Sequence, residues 1–155
     1  MDKRNAMGAG LFALLVLAFA AGAQAVTYIS GNLVIEGDAE CIDSTIVMNS
    51  SSGHYIRVTD TGSLTLDNCT ITAEGYYRIE VYGDISVEDS TIERLDTSAM
   101  TLYSGANVLG FGDVTFRDGT ASRSVKTAVD ITLTGDVSTD AGLFEITANG
   151  VTIDG

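Results

Sequence analysis

Four polar residues recur at one position of a repeated phrase and are the strongest candidates for chemistry in this sequence. The phrase reads Asp or Asn, any residue, Thr, and then Ile or Phe, and it begins at Asp43, Asn68, Asp89 and Asp113. If the repeats stack as neighbouring strands about 4.8 Å apart, these side chains form one ladder. Such a ladder could bridge calcium ions, or its members could bond the turn backbone and each other as a structural feature.

Two further carboxylates, Asp67 and Glu88, stand directly before ladder positions in successive repeats. Stacking them places like charges side by side, which costs up to about 1 kcal/mol. A bound divalent cation would relieve this repulsion, and dissolved salt would do the same. We therefore keep Asp43, Asp67, Glu88, Asp89 and Asp113 as weak calcium candidates, and we expect no other cofactor.

No arrangement of residues predicts a catalytic site. Paired carboxylates can cleave glycosidic bonds, but a chain with 21 acidic residues offers such pairs by chance. The single histidine, His54, follows a Ser- and Gly-rich stretch at residues 50–53, which we interpret as a flexible corner. We expect His54 to be solvated there rather than to act as a base or a ligand.

The tyrosines after residue 50 have two interpretations. They could line a sugar-binding face, or they could be strand residues that pack on their neighbours. The six basic residues that follow residue 25 are scattered along the sequence and form no run. The tyrosines concerned are Tyr55, Tyr76, Tyr77, Tyr82 and Tyr103.

The repeated phrase also defines the elements that must position these residues. Residues 62–71 and 83–92 match position by position at an offset of 21 (92 − 71), and related phrases end at Ile46 and Phe116. Apolar residues alternate with Thr, Ser, Asp and Glu, which is the period of a half-buried strand. Repeats of about 22 residues with three short strands each predict an all-β solenoid of about five coils. The phrase's Ile or Phe would point inward and its Thr outward.

The pattern loosens toward the C-terminus. Residues 117–126 are polar and carry three of the basic residues, so we predict a loop that bulges from the coil. Strand signals resume at residues 128–133 and 143–147, and residues 151–153 begin another strand. We expect a β-helix domain over residues 26–155 that is incomplete at its C-terminus or is covered there by another chain.

The N-terminus has the features of a secretory signal peptide over residues 1–25. Lys3 and Arg4 precede an apolar run at residues 11–21, and the small-residue motif Ala-Gln-Ala follows at residues 23–25. This order predicts a signal helix that is cleaved after Ala25. The apolar stretch of about 20 residues could also span a bilayer, so the alternatives are a retained membrane anchor and a pilin-type signal that is cut near Gly8 and keeps the apolar helix.

The chain is acidic, with a net charge of −13. Removing residues 1–25 takes away one Asp, one Lys and one Arg, so the mature chain would carry −13 − 1 = −14. Such a charge repels nucleic acids and anionic membranes. We therefore expect no nucleic-acid partner, and contact with a membrane only through an uncleaved N-terminal segment.

Cysteine and asparagine residues suggest covalent modification. In an oxidising compartment Cys41 and Cys69 could form a disulfide, although they occupy different positions in the repeat and could be buried free thiols. Two Cys and one His do not make a zinc site. Asn49 and Asn68 begin Asn-x-Ser/Thr triplets and are glycosylation candidates. We expect Asn49 to lie in a loop and Asn68 to be buried in the ladder.

The repeats resemble those of the right-handed parallel β-helix proteins, the pectin-lyase-like superfamily. The resemblance rests on the Gly-x-Leu-x-Leu-type phrases at residues 62–71 and 83–92 and on the final eight residues, 148–155. Those last residues look like the opening of a coil in secreted and cell-surface repeat proteins of archaea and bacteria. The resemblance implies a right-handed, single-stranded parallel β-helix, and the family includes polysaccharide lyases, glycoside hydrolases, adhesins and surface-layer components.

The enzymes of that family place Asp, Arg or Lys clusters on one face, and no such cluster is evident here. We therefore expect an exported, non-catalytic scaffold, secreted or at the cell surface, with a structural or adhesive role. The alternatives are a fragment of a carbohydrate-active enzyme and a calcium- or sugar-binding module. The expected partner is a cell-surface polysaccharide, or another β-helix chain at the open C-terminal end.

Overall fold

The computed structural model describes residues 24–48 and 53–155, and all regular structure in them is β-strand. The strands are β1 (Ala25–Ile29), β2 (Leu33–Ile35), β3 (Asp38–Ile42), β4 (Ser44–Met48), β5 (His54–Val58), β6 (Ser63–Asp67), β7 (Thr70–Ala73), β8 (Tyr77–Val81), β9 (Asp84–Glu88), β10 (Thr91–Glu93), β11 (Leu95–Leu102), β12 (Asn107–Gly112), β13 (Val114–Arg117), β14 (Arg123–Thr127), β15 (Ile131–Thr132), β16 (Val137–Thr139), β17 (Gly142–Ile146) and β18 (Ile153–Asp154).

Every third strand pairs in parallel, so the chain winds as a β-solenoid of about five turns. Sheet 1 contains β1, β4, β7, β10, β13 and β16, and sheet 2 contains β2, β5, β8, β11, β14 and β17. Sheet 3 contains β3, β6, β9 and β12, while β15 pairs with β18. The predicted all-β solenoid with three short strands in each coil is confirmed. The predicted signal segment lies almost wholly outside the described residues, and only its last residue, Ala25, belongs to β1.

The register of sheet 1 follows the repeated phrase. Ile46, Ile71, Ile92 and Phe116 occupy equivalent positions on successive strands, and each is at most 3% exposed. The Thr before each of them points outward and is half-buried. Complete burial of one such aliphatic side chain contributes about 1.5–3 kcal/mol, so this ladder stabilises the stacking of the coils. The inward Ile and outward Thr were predicted correctly.

Gly62 and Gly83, which lie six residues before Asn68 and Asp89, allow two coils to approach closely. A Cβ atom on Gly62 would collide with the carbonyl oxygen of Ile35, and one on Gly83 with that of Gly62. The Gly62 N–H donates to Thr59, and the Asp84 N–H donates to Gly62, so the backbone is held in this corner. Only a residue without a Cβ fits such a contact.

Two local predictions were wrong. Residues 117–126 are not one loop, because Arg123 begins β14 and pairs with Gly142 of β17. The hydrophobic pattern does not reveal this strand, because its inward residues include the polar Ser124. The Ser124 hydroxyl lies 2.7 Å from that of Thr139. His54 does not lie in a flexible corner either. It is the first residue of β5 and is half-buried, with Nδ1 3.2 Å from Oδ1 of Asn32.

No helix among the described residues has the length and apolar character needed to cross a membrane.

Candidate functional site

The four polar ladder residues form a structural corner between sheets 3 and 1. Asp43, Asn68, Asp89 and Asp113 all have positive φ angles, between 49° and 51°. Asp and Asn tolerate this left-handed conformation better than other residues with side chains. The N–H of Asp43, Asn68 and Asp89 each donates to a carbonyl of the following coil at 3.1–3.2 Å. The corner therefore turns the chain and joins the coils.

The side chains of this corner also bond to protein groups. The Asn68 amide donates to Oδ1 of Asp43 at 2.7 Å, and Oδ1 of Asp113 accepts the N–H of Asp136 at 3.1 Å. Asn68 is exposed, so the expectation that the ladder buries it was wrong; the side chain lies on the outside of the turn. The other glycosylation candidate, Asn49, lies outside the described residues.

The remaining calcium candidates, Asp67 and Glu88, lie beside this corner and do not complete a metal-binding site. Asp67 and Glu88 are register partners on β6 and β9, as expected. Glu88 accepts a hydrogen bond from the Thr134 hydroxyl at 2.8 Å. In residues 24–48 and 53–155, no three His, Cys, Asp or Glu side chains lie close enough together to hold a metal ion.

The structure has Cys41 and Cys69 joined in a disulfide. Their Cα atoms are 5.9 Å apart, and both residues are 1% exposed. Cys41 points inward from β3, and Cys69 follows β6, the strand that pairs with β3. The bond therefore links two neighbouring coils inside the core.

Sheet 2 carries a concentration of aromatic and charged groups on its outer surface. These residues come from three successive coils. The first group lies on β5, the second lies on β8 and directly after it, and the last residue directly follows β11. They contact one another through ion pairs, cation–π contacts and ring stacking. We call this surface the tyrosine–arginine face. It consists of Tyr55, Arg57, Arg78, Glu80, Tyr82 and Tyr103.

An Arg–Glu–Arg cluster lies at the centre of the tyrosine–arginine face. Arg57 donates from Nε to Oε2 of Glu80 at 2.7 Å, and Arg78 donates from Nε to Oε1 at 2.8 Å. The Glu80 side chain is only 9% exposed, against 37% for Arg57 and 28% for Arg78. The Arg57 guanidinium also lies 4.6 Å from the centre of the Tyr55 ring, within cation–π distance.

This cluster keeps Glu80 ionised. Burial alone would raise the pKa of Glu80, but the hydrogen bonds and charges of Arg78 and Arg57 outweigh it, and the pKa lies below its ordinary value. The pKa values of Arg57 and Arg78 are raised, first by their hydrogen bonds to Glu80. The cluster therefore has one surplus positive charge on an acidic protein.

Two tyrosines extend the face along the solenoid. Tyr82 and Tyr103 stack with ring centres 4.4 Å apart and planes at 4°. Tyr103 is 36% exposed, and Tyr82 is half-buried. Partial burial raises the pKa of Tyr103, and the neighbouring Tyr82 phenol adds to this. The Tyr103 phenol is therefore protonated at neutral pH.

A bulge flanks the face. The register between β8 and β11 shifts between Leu95 and Met100, so residues 96–99 of β11 lie opposite Arg78 alone, with Thr97 exposed and Ala99 buried. Asp96 accepts the N–H of Ser98 at 2.7 Å, and Lys126 donates to the carbonyl of Thr97 at 3.2 Å. The bulge therefore brings the Asp96 carboxylate near Arg78, where its charge adds to the raised pKa of that guanidinium.

The other tyrosines have different places. Tyr77 is 1% exposed and belongs to the core, where burial raises its pKa well above the ordinary value. Tyr76 is 36% exposed and stands just before β8. Each of the two interpretations of the tyrosines therefore applies to some of them. Tyr55, Tyr82 and Tyr103 share one outer surface, whereas Tyr77 is a packing residue.

The Arg–Glu–Arg cluster was not predicted, because the basic residues are scattered along the sequence. Arg57 and Glu80 are 23 residues apart, and Tyr82 and Tyr103 are 21 apart. Both separations lie within the range of the repeat spacings. Aligning charged and aromatic residues on the repeat, as was done for the ladder, would have brought them together.

Comparison with protein-family models, with curated proteins and with solved structures finds no match for this chain.

Proposed function

We propose that this chain is an exported, non-catalytic β-solenoid scaffold with an adhesive role at the cell surface. In this proposal the tyrosine–arginine face binds a carbohydrate chain. The observation that carries it is the convergence of three tyrosines and two arginines from three coils on one exposed surface. The resemblance to right-handed, pectin-lyase-like β-helix proteins agrees with it, since that family includes adhesins and carbohydrate-active proteins.

The chemistry of the face suits a sugar. Aromatic rings offer an apolar surface with a polar tip, and the C–H faces of a pyranose can pack on such a surface while its hydroxyls accept hydrogen bonds from Arg57 and Arg78. The two guanidiniums are already oriented by Glu80, so little side-chain entropy is lost on binding. The net charge of −13 repels polyanions at long range. We therefore favour a neutral polysaccharide.

The state of Glu80 argues for binding rather than catalysis. A general acid must carry a proton near neutral pH, and a general base needs a pKa close to the operating pH. Glu80 has a lowered pKa, and both of its carboxylate oxygens are occupied by arginines. Among the described residues it is the one buried carboxylate. Its arrangement suits a fixed positioning group.

Export is the second part of the proposal and rests on the N-terminal sequence. The basic start, apolar run and Ala-Gln-Ala motif support secretion with cleavage after Ala25. N-terminal sequencing of the protein recovered from outside a producing cell tests this. A chain that begins at Val26 is expected, whereas an intact N-terminus on a membrane-bound chain would favour the retained anchor.

Affinity electrophoresis of the full chain through gels that contain one polysaccharide each tests the adhesive function. We expect retardation by at least one neutral polysaccharide without release of new reducing ends. Failure of every polysaccharide to retard the chain would contradict the proposal. Polysaccharide cleavage that disappears when a carboxylate is replaced would instead favour the enzyme alternative.

A further inference from the structure

Tyr82 and Tyr103 are held in direct contact by the backbone as well as by their rings. The Tyr82 N–H donates to the Val58 carbonyl, and the Tyr103 N–H donates to the Val81 carbonyl, both at 2.9 Å. These bonds continue the parallel register of β5, β8 and β11 by one residue. The two side chains therefore leave equivalent positions of adjacent coils, and their rings overlap at 4.4 Å.

This geometry favours one covalent reaction. Removal of one electron and one proton from a phenol gives a radical whose unpaired electron is shared between the oxygen and the ortho carbons. The p orbitals of those carbons project from the ring faces. In the stacked pair the ring planes are nearly parallel and their centres lie 4.4 Å apart, so the faces from which these orbitals project lie against each other and two radicals are pre-oriented for coupling.

We propose that Tyr82 and Tyr103 form an intramolecular dityrosine cross-link when the protein meets a peroxidase and hydrogen peroxide. A carbon–carbon bond forms between the two ortho carbons, and each of these carbons then loses its hydrogen as a proton while the phenol oxygen regains one. Overall, two tyrosines and one peroxide give one dityrosine and two waters. Peroxide takes up the two electrons, and the cross-link ties the third coil to the fourth.

The surroundings select this pair over other tyrosines. Both rings are accessible, whereas Tyr77 is enclosed in the core. Tyr28 is more exposed than any of them, at 66%, but it lies on β1 in sheet 1. Within residues 24–48 and 53–155, Tyr82 and Tyr103 form the one stacked tyrosine pair. If exposure alone controlled oxidation, Tyr28 would react first and would join separate chains.

Oxidation of the dilute full chain by a haem peroxidase with hydrogen peroxide tests the inference. We expect dityrosine fluorescence in the monomer and a proteolytic product that links the peptides of Tyr82 and Tyr103, lighter than their sum by two hydrogens. Tyr82→Phe and Tyr103→Phe should each abolish both signals, because phenylalanine keeps the ring and removes the phenol. Tyr28→Phe is the matched control and should retain them.

Three results would overturn the inference: no dityrosine in the wild-type monomer, a cross-link that persists in both phenylalanine variants, or cross-linked dimers through Tyr28 as the sole product. The test is independent of the adhesive function, because the phenylalanine variants retain an aromatic surface for a sugar. Circular dichroism of each variant before oxidation checks that the solenoid is folded.

Discussion

Arg57 and Glu80 occupy the same register position on adjacent strands, and Nε of Arg57 lies 2.7 Å from Oε2 of Glu80. Arg78, two residues before Glu80 on β8, holds the other carboxylate oxygen. The first contact joins two coils and the second lies within one strand. The charged centre of the tyrosine–arginine face is therefore part of the solenoid's own hydrogen-bonded framework.

Replacing Glu80 should destabilise the protein and change its response to acid. Glu80→Gln leaves two guanidiniums facing each other, and we expect a loss of about 2 kcal/mol in the free energy of unfolding. This is less than the 3–5 kcal/mol for breaking a fully buried pair, because Arg57 is 37% exposed. Urea titration of both proteins at neutral pH measures the difference.

The pH dependence follows from the lowered pKa of Glu80. A carboxylate with a lower pKa in the folded state contributes stability above its unfolded pKa of about 4.3, and this is lost as the pH falls through the folded pKa. The stability gap between wild type and Glu80→Gln should therefore narrow below about pH 4.5. Glu145→Gln, an exposed replacement on the same sheet, is the control; a gap that stays constant down to pH 2 would contradict this account.

The left-handed corner can be tested at Asp89, whose φ is 49°. Asp89→Ala should cost about 1 kcal/mol, because alanine lacks the short polar side chain whose local hydrogen bonding lets Asp tolerate this left-handed conformation. Asp89→Gly should stay within about 0.5 kcal/mol of wild type, since glycine adopts positive φ without strain. Asp67→Ala, which is exposed and has no positive φ, is the control. Equal losses for alanine and glycine would show that φ does not govern this position.

The pairing of Cys41 with Cys69 makes a further prediction. A bond that closes a loop of 28 residues should stabilise the fold by about 3–4 kcal/mol through restriction of the unfolded chain. Thermal unfolding should therefore shift to lower temperature on reduction. A Cys41→Ala and Cys69→Ala double variant should show no such shift. Non-reducing peptide mapping that recovers the two cysteines as free thiols would contradict the pairing.

The core ladder predicts a strong contrast between neighbouring residues. Ile92→Ala should cost about 3 kcal/mol, because Ile92 is 1% exposed between Ile71 and Phe116 and the change leaves a cavity. Thr91→Ala, one residue earlier and on the outer surface, should cost no more than about 0.5 kcal/mol. Denaturant unfolding of the two variants measures both losses, and similar values would mean that the register is wrong.

The sequence predicted the solenoid because its signals are local and repeated. One phrase places a left-handed Asp or Asn, an outward Thr and an inward Ile or Phe within four residues, as at Asp89, Thr91 and Ile92. Its recurrence sets the register between coils without knowledge of distant contacts. The same regularity explains the Gly62 and Gly83 contacts, since each glycine lies six residues before such a phrase.

The tyrosine–arginine face was not predicted because its partners come from different positions in the chain. Arg57 and Glu80 lie 23 residues apart and Tyr82 and Tyr103 lie 21 apart, so no motif within a single repeat marks them. The strand β14 was missed for another reason. Its buried Ser124 and Thr127 satisfy their hydroxyls by hydrogen bonds, which a hydrophobic pattern does not reveal.

The adhesive function is tested most directly by calorimetric titration of a polysaccharide that retards the chain on electrophoresis. A double variant, Tyr82→Ala with Tyr103→Ala, should bind at least about 2 kcal/mol more weakly, the loss expected for central aromatic contacts. Tyr28→Ala, which removes a more exposed tyrosine from sheet 1, should bind like wild type. Unchanged affinity in the folded double variant, or an equal loss in Tyr28→Ala, would contradict the assignment of binding to the tyrosine–arginine face.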